Sequence, residues 1–247
     1  MALLIPFGLK DGVLYEPRQV SNGNACGCVC PCCKHPLIAR QNAQTPHFAH
    51  AVGDDCKKGF ETAVHLATKQ LIAGRMELSL PPAVLHYPAG YGKRPSTELL
   101  YTYNLKKLSE VRIEPWLDDF RPDIMVVESG KQMEILVEIA VTHLVDDLKL
   151  QKIKKRGIHA IEINVSEARA AMDFSLLNQF LFDVPSHGRW LYHPEVERYE
   201  NEYVAKQKKE WETQHPLEDW VQQQLKRKEE LEERQKVLAA WKPQQLF

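Results

Sequence analysis

The most informative pattern of apolar and polar positions lies in residues 121–143, RPDIMVVESGKQMEILVEIAVTH. Two apolar runs, 124–127 and 135–141, flank a Ser-Gly pair, the signature of two strands joined by a tight turn. A two-residue turn at Gly130 and Lys131 pairs Ser129 with Gln132, and counting back sets Asp123 directly opposite Glu138. Facing residues in such a pair have Cβ atoms about 5 Å apart. Like charges that close repel, so a cation between them is expected. On the second strand Glu138, Ala140 and Thr142 share one face, and Val137, Ile139 and Val141 share the other.

Helical spacing appears before the hairpin, over residues 60–74. Ala63, Val64, Ala67, Leu71 and Ile72 repeat along one face, and Gly74 is expected to end the helix. Glu61, His65 and Lys69 sit at i, i+4 and i+8 on another face. Alone, such a stripe is a solvated surface; it gains weight because Asp123 and Glu138 need a third group to complete a metal site. Residues 78–84 contain a Pro pair, residues 90–96 read as a loop, and residues 99–103 predict a strand followed by something short. After the hairpin, residues 144–156 predict a helix ended by Gly157, and residues 159–165, HAIEINV, a buried strand. Strand, strand, helix, strand behind a leading helix predicts an α/β fold around a small mixed sheet.

From about Pro194 the pattern changes. Residues 196–242 are dense in Glu, Lys, Gln and Arg, and Pro216 divides them into two helices. Tyr199, Tyr203, Trp211, Leu217, Val221, Leu225, Leu231, Leu238 and Trp241 keep no sustained heptad. A solvated helical arm that packs one face is expected, with homo-oligomerisation or a protein partner through these helices as the alternative. The domains expected are a strand-and-turn unit over 1–58, an α/β domain over 59–190 and a charged helical extension over 191–247.

A chain of 247 residues, 44% apolar and 26% charged, has the composition of a globular protein with one sizeable core. No apolar run approaches the ~20 residues that span a bilayer. The start lacks a basic segment and reaches Pro6 and Asp11 early, so a cytoplasmic protein without a membrane partner is expected. Net charge is −1, so any grip on nucleic acid must come from a local basic surface.

All six cysteines fall between positions 26 and 56. Clustered thiols beside histidines point to a metal rather than to a disulfide framework. Cys30 and Cys33 form a Cys-x-x-Cys pair, followed by His47-Phe-Ala-His50 and then Cys56. Zinc takes four thiolate or imidazole ligands, and short loops donate them two at a time. Cys30 and Cys33 are the firm pair, His50 and Cys56 complete the set, and His47 is the rival ligand. Cys26, Cys28 and Cys32 form a second partial site or are incidental.

Asp123, a turn, Glu138-x-Ala140, a helix and a strand together resemble the core of PD-(D/E)XK nucleases, and Pro122-Asp123 matches the literal "PD". With Cys-x-x-Cys, His-Phe-Ala-His, Cys56 and Glu61-x-x-x-His65 in front, the chain resembles the CoiA-type competence proteins and their zinc-ribbon nuclease relatives over about residues 25–165. The resemblance implies a restriction-endonuclease-like core over 59–190 behind a small zinc ribbon. It implies Mg²⁺ or Mn²⁺ held by Asp123, Glu138, the backbone carbonyl of Ile139 and Glu61, hydrolysing DNA phosphodiesters through a bound water. The pattern's lysine would fall at Ala140. Relatives that carry this cation on the following helix imply Lys149 or Lys152 here, with Lys149 preferred, and His143 is also within reach. Lys93, Arg94, Arg112 and the zinc unit would grip DNA phosphates. The competing expectation is a degenerate nuclease fold that binds nucleic acid or assembles with a partner, Ala140 marking the lost catalysis.

Overall fold

The structure, a computed structural model, describes residues 4–52, 56–102, 104–166, 173–183 and 187–240. Twelve strands and five α-helices follow in order among them. They are β1 (Gly8–Lys10), β2 (Val13–Tyr15), β3 (Leu37–Arg40), β4 (His47–His50), α1 (Gly59–Arg75), β5 (Glu77–Leu80), β6 (Ala83–Tyr87), β7 (Ser96–Tyr101) and β8 (Asn104–Ile113). The second half contributes β9 (Ile124–Glu128), β10 (Glu134–Ala140), α2 (Asp147–Arg156), β11 (His159–Asn164), α3 (Phe174–Asn178), β12 (Gly188–Tyr192), α4 (Pro194–Gln214) and α5 (Leu217–Ala240).

β9 and β10 are the expected hairpin, in the expected register. Ile124 faces Val137 and Val127 faces Glu134, so the next pair outward is Asp123 and Glu138. They lie inside a six-stranded sheet of order β12-β11-β10-β9-β8-β5. Only β10 and β11 run parallel, because α2 carries the chain back between them. The sheet is covered on both faces, which explains the nearly unbroken apolar runs. Ile124, Val126, Ile135, Val137 and Ile139 join α1 and the N-terminal segment in the larger core. Met125, Leu136 and Ala160 pack with Ile153 of α2 in the smaller one. Fully burying one such side chain is worth about 2 kcal/mol.

The helices begin and end for identifiable reasons. Asp146 caps α2, its side chain accepting from Lys149 N at 2.8 Å, and Gly157 in the left-handed region (φ 67°) closes it as expected. α1 does not stop at Gly74. Met76 (φ 51°) takes the left-handed position instead and donates its N–H to Ile72 O, turning the chain into β5. The short element expected after the strand over 99–103 is the ten-residue β8. Its register shifts between Leu108 and Glu110, and that break hides the alternation in the sequence. Tyr103 itself lies outside the described residues.

The chain divides into two units, residues 1–84 with 99–197 and residues 85–98 with 198–247. The expected zinc unit, 1–58, lies within the first and shares its core: Ile5, Phe7, Cys26, Cys30 and Phe48 cluster with Val64 and Ile72 of α1. In the second unit Tyr87 stacks on Tyr203 at 4.1 Å and His86 N donates to Glu200 Oε1. The arm divides into two helices at Pro216, as expected; Trp241 lies outside the described residues. Among the described residues no helix is long and apolar enough to cross a membrane.

Candidate functional site

Two sites form in the first unit. The first gathers Cys30, Cys33, His50 and Cys56, whose ligand atoms lie within 4.8 Å of one another. The sequence builds it from three pieces. Lys34 adopts the left-handed region (φ 63°) and donates its N–H to Cys30 O, closing the turn that carries both Cys-x-x-Cys thiols. β3 pairs with β4 so that Leu37 faces His50, and alternation along β4 buries Phe48 and His50. Cys56 sits just before α1, its carbonyl accepting from Gly59 N. Cys30 Sγ lies 3.7 Å from Cys56 Sγ, and Cys33 Sγ lies 3.1 Å from His50 Nε2.

Burial pushes the Cys30 thiol up, against backbone N–H groups of Cys33 and Cys32 that favour its ionised form. Burial and the Cys30 thiol push Cys56 up to about 12. Burial also opposes ionisation of Cys33, but the His35 N–H, His50 and neighbouring thiols outweigh it and bring Cys33 down to about 6. These four residues can hold a metal ion. His47, the rival, turns to the other side of β4 and bonds Thr45 O at 2.9 Å through Nδ1. Cys26 and Cys28 point into the core, where Cys26 donates to Leu37 O at 3.0 Å.

The second site lies at the open end of the β9–β10 hairpin, in a cavity of about 230 Å³ lined by His65, Asp123, Glu138, Ile139, Ala140, His143, Lys149 and Glu162. Glu138 is 3% exposed. On β10 it shares the face of Leu136, which packs on α2, and this brings Lys149 Nζ to 2.6 Å from Glu138 Oε2. Asp123 is met by α1. His65 Nε2 donates to Ile139 O at 2.8 Å and lies 3.1 Å from Asp123 Oδ2, while buried Lys69 lies 3.4 Å from Asp123 Oδ1 and 2.7 Å from Glu114. Ile139 N donates to Asp123 Oδ2 at 2.9 Å.

The two carboxylates are driven apart in acidity. Burial, with the nearby Asp123 charge, outweighs Lys149 and raises Glu138 to about 7. Burial also opposes ionisation of Asp123, but the hydrogen bond and charge of His65, the charge of Lys69 and the Ile139 N–H win and hold it at about 2. The site therefore carries one fixed carboxylate and one that titrates near neutrality. Glu138 Oε1 is buried and has no hydrogen-bond donor among the described residues.

Of the residues singled out from the sequence, Asp123, Glu138, Ile139, His143 and Lys149 meet in this cavity. Lys152 does not join them; it donates to Asp119 O at 2.8 Å. Glu61 lies in the first turn of α1 and does not line the cavity, whereas His65, one turn later, does. Arg112 pairs with Glu110 and Glu134. Glu114 and Glu162 also stand by these groups and belong to none of the sequence motifs. Glu162 stands beside Glu138 in the parallel register, accepting from Val145 N and Arg189; the repeated Glu in VEIA and IEIN was the available signal. Neither family models, curated proteins nor solved structures give a match to this chain.

Proposed function

We propose that the chain is a metal-dependent nuclease of the PD-(D/E)XK kind acting on DNA, with a structural zinc at Cys30, Cys33, His50 and Cys56. The observation that carries the nuclease reading is Lys149. The lysine missing at Ala140 is answered by one from α2, 2.6 Å from Glu138. Asp123, Glu138 and the Ile139 carbonyl would hold Mg²⁺ or Mn²⁺, hard cations that favour oxygen ligands, and the orphan Glu138 Oε1 suits that role. When bound, such an ion polarises a phosphoryl oxygen and lowers the pKa of a coordinated water.

The chain's own groups do the rest. Lys149 keeps Glu138 oriented and places a positive charge where negative charge develops on the phosphate. Lys69 and the Ile139 N–H keep Asp123 ionised and fixed. His65 would release the Ile139 carbonyl for the ion. For the zinc, a tetrahedral site with bonds of about 2.3 Å to sulfur has S···S edges of about 3.8 Å. The Cys30–Cys56 separation of 3.7 Å fits that edge.

The test is purified protein with single-stranded, double-stranded and branched DNA in Mg²⁺ or Mn²⁺. Cleavage that disappears in Glu138→Ala supports the reading, and cleavage that survives overturns the site. No cleavage on any substrate favours a second reading, a nucleic-acid-binding or assembly module on a nuclease-like fold. One observation speaks for it: His65 and Lys69 already satisfy Asp123 without an ion.

A further inference from the structure

A second cavity, of about 120 Å³, opens at the other end of the sheet. Met133 lines it, and Glu138 lies five residues farther along β10, about 17 Å away at strand rise. It forms where the two edges of the six-stranded sheet approach each other. Trp190 of β12 donates its Nε1–H to Pro81 O, just past β5, at 3.0 Å.

The walls are aromatic. Trp190 and His193 lie 4.5 Å apart between ring centroids, His159 and His193 lie 4.7 Å apart, and Tyr101 lies 5.7 Å from His193. At the rim stand Lys106 and Lys131, the latter held 5.8 Å above the Tyr101 ring. Both carboxylates of the lining are engaged: Glu128 accepts from Lys131 N at 2.6 Å, and Glu195 accepts from the Tyr101 hydroxyl.

We propose that this cavity binds a pyrimidine nucleotide, its base against Trp190, His159 and His193 and its phosphate on Lys106 and Lys131. Size selects one ring, since a cavity of about 150 Å³ accommodates benzene. Charge selects the ligand class. The rim lysines repel an organic cation, and the engaged carboxylates disfavour a ligand that is anionic throughout. A neutral planar ring with an anionic tail satisfies both. Burial lowers both His159 and His193, the latter to about 4, so the imidazoles are neutral near pH 7. His193 Nδ1 accepts from Val196 N at 3.3 Å, which leaves its Nε2–H as a donor, and His159 carries one donor and one acceptor for the edge of an uncharged base. Aromatic platforms that stack single bases are a recurrent means of holding nucleotides. The proposal uses none of the residues of the carboxylate site and stands or falls without it.

Calorimetric titration of the full chain with UMP, with dTMP, with ribose 5-phosphate and with oligothymidylate tests it. UMP is expected to bind one to one, and ribose 5-phosphate about tenfold more weakly, because it lacks the stacked base. Oligothymidylate binding more tightly than dTMP would assign the pocket to a strand, and equal binding to a free nucleotide; both carry the proposal. Trp190 also ties two strands together, so the decisive variants lie at the rim. Thr102→Trp, at an exposed lining position, should fill the mouth and abolish UMP binding, and Lys131→Glu should weaken UMP about fivefold at low salt. Glu138→Ala should bind UMP as the native chain does. The proposal is overturned if UMP does not bind, if ribose 5-phosphate binds equally well, if a folded Thr102→Trp still binds UMP, or if a folded Glu138→Ala does not.

Discussion

The Cys/His cluster and the carboxylate cluster each crowd like groups together, and they differ in what answers them. Around Asp123 and Glu138 the chain supplies its own partners, with the Lys69 ammonium and the His65 ring from α1 and the Lys149 ammonium from α2. Around Cys30, Cys33 and Cys56 the contacts are other thiols, His50 and backbone N–H groups. The difference teaches what each can do without an ion. The carboxylate site already meets Asp123 and one oxygen of Glu138 with its own groups, so an ion bound there would be exchangeable. The thiol site gathers three groups that cannot all ionise beside one another unless a divalent cation joins them.

The largest expected effect therefore belongs to the thiol site. Under the proposed zinc reading, stripping the metal with a strong chelator, or replacing Cys30 with Ser, should cost several kcal/mol of stability, because structural zinc binding is coupled to folding. The loss should not stay local, since Cys30 belongs to the same core as α1. Metal analysis should find one zinc per chain, and thermal melts should show the drop. A stripped protein that melts like the native one would break the contrast.

Next come the cations of the carboxylate site. Under the proposed reading Lys149→Ala lowers DNA cleavage about a hundredfold, the scale of losing one charge-stabilising group. Lys152→Ala, which removes a contact to Asp119 O, leaves cleavage near the native rate. Equal losses in the two variants would return the choice between them to the open.

A smaller effect concerns pH. Glu138 is raised from 4.5 to about 7, so between those values the folded state holds a proton that the unfolded state has released. Stability of the metal-free site then falls as pH rises through that window, by about 3 kcal/mol at most. Asp123, lowered from 3.8 to about 2, acts the other way, contributing stability above 3.8 that is lost as pH falls toward 2. Glu138→Gln removes the first effect and keeps the second. Denaturant titrations should thus show the variant gaining on the native chain as pH rises from 4.5 to 7, and Mg²⁺ should narrow the gap. A gap that shrinks with pH would contradict the assignment.

The sequence carried most of both sites because their residues are tied to local geometry. A turn of fixed length sets the register that places Asp123 beside Glu138, and the spacing of Cys30 and Cys33 puts both thiols on one turn. Lys149 was legible because the helix after the hairpin must lie against it. Docking depth was not legible. Glu61, His65 and Lys69 share one stripe, and which of them reaches Asp123 depends on where α1 settles on the sheet; His65 and Lys69 reach it. Lys149 and Lys152 differ by less than one turn, yet only Lys149 meets Glu138. β8 escaped because its bulge interrupts the alternation that would reveal it.

The smallest expected effect sharpens the thiol site itself. His47 and His50 are three residues apart on a four-residue strand, and alternation sends their side chains to opposite faces. His50 points at Cys33, while His47 is half-buried and bonds Thr45 O. His47→Ala should then keep the full zinc content and lose about 1 kcal/mol or less, the net worth of one hydrogen bond. His50→Ala should lose the metal or hold it far more weakly, since a three-thiolate remainder leaves one corner of the tetrahedron unfilled. Zinc content and melting temperature measured on the two variants side by side decide between them. If His47→Ala sheds zinc and His50→Ala retains it, the ligand set is Cys30, Cys33, His47 and Cys56, and β4 must rotate by one residue to deliver it.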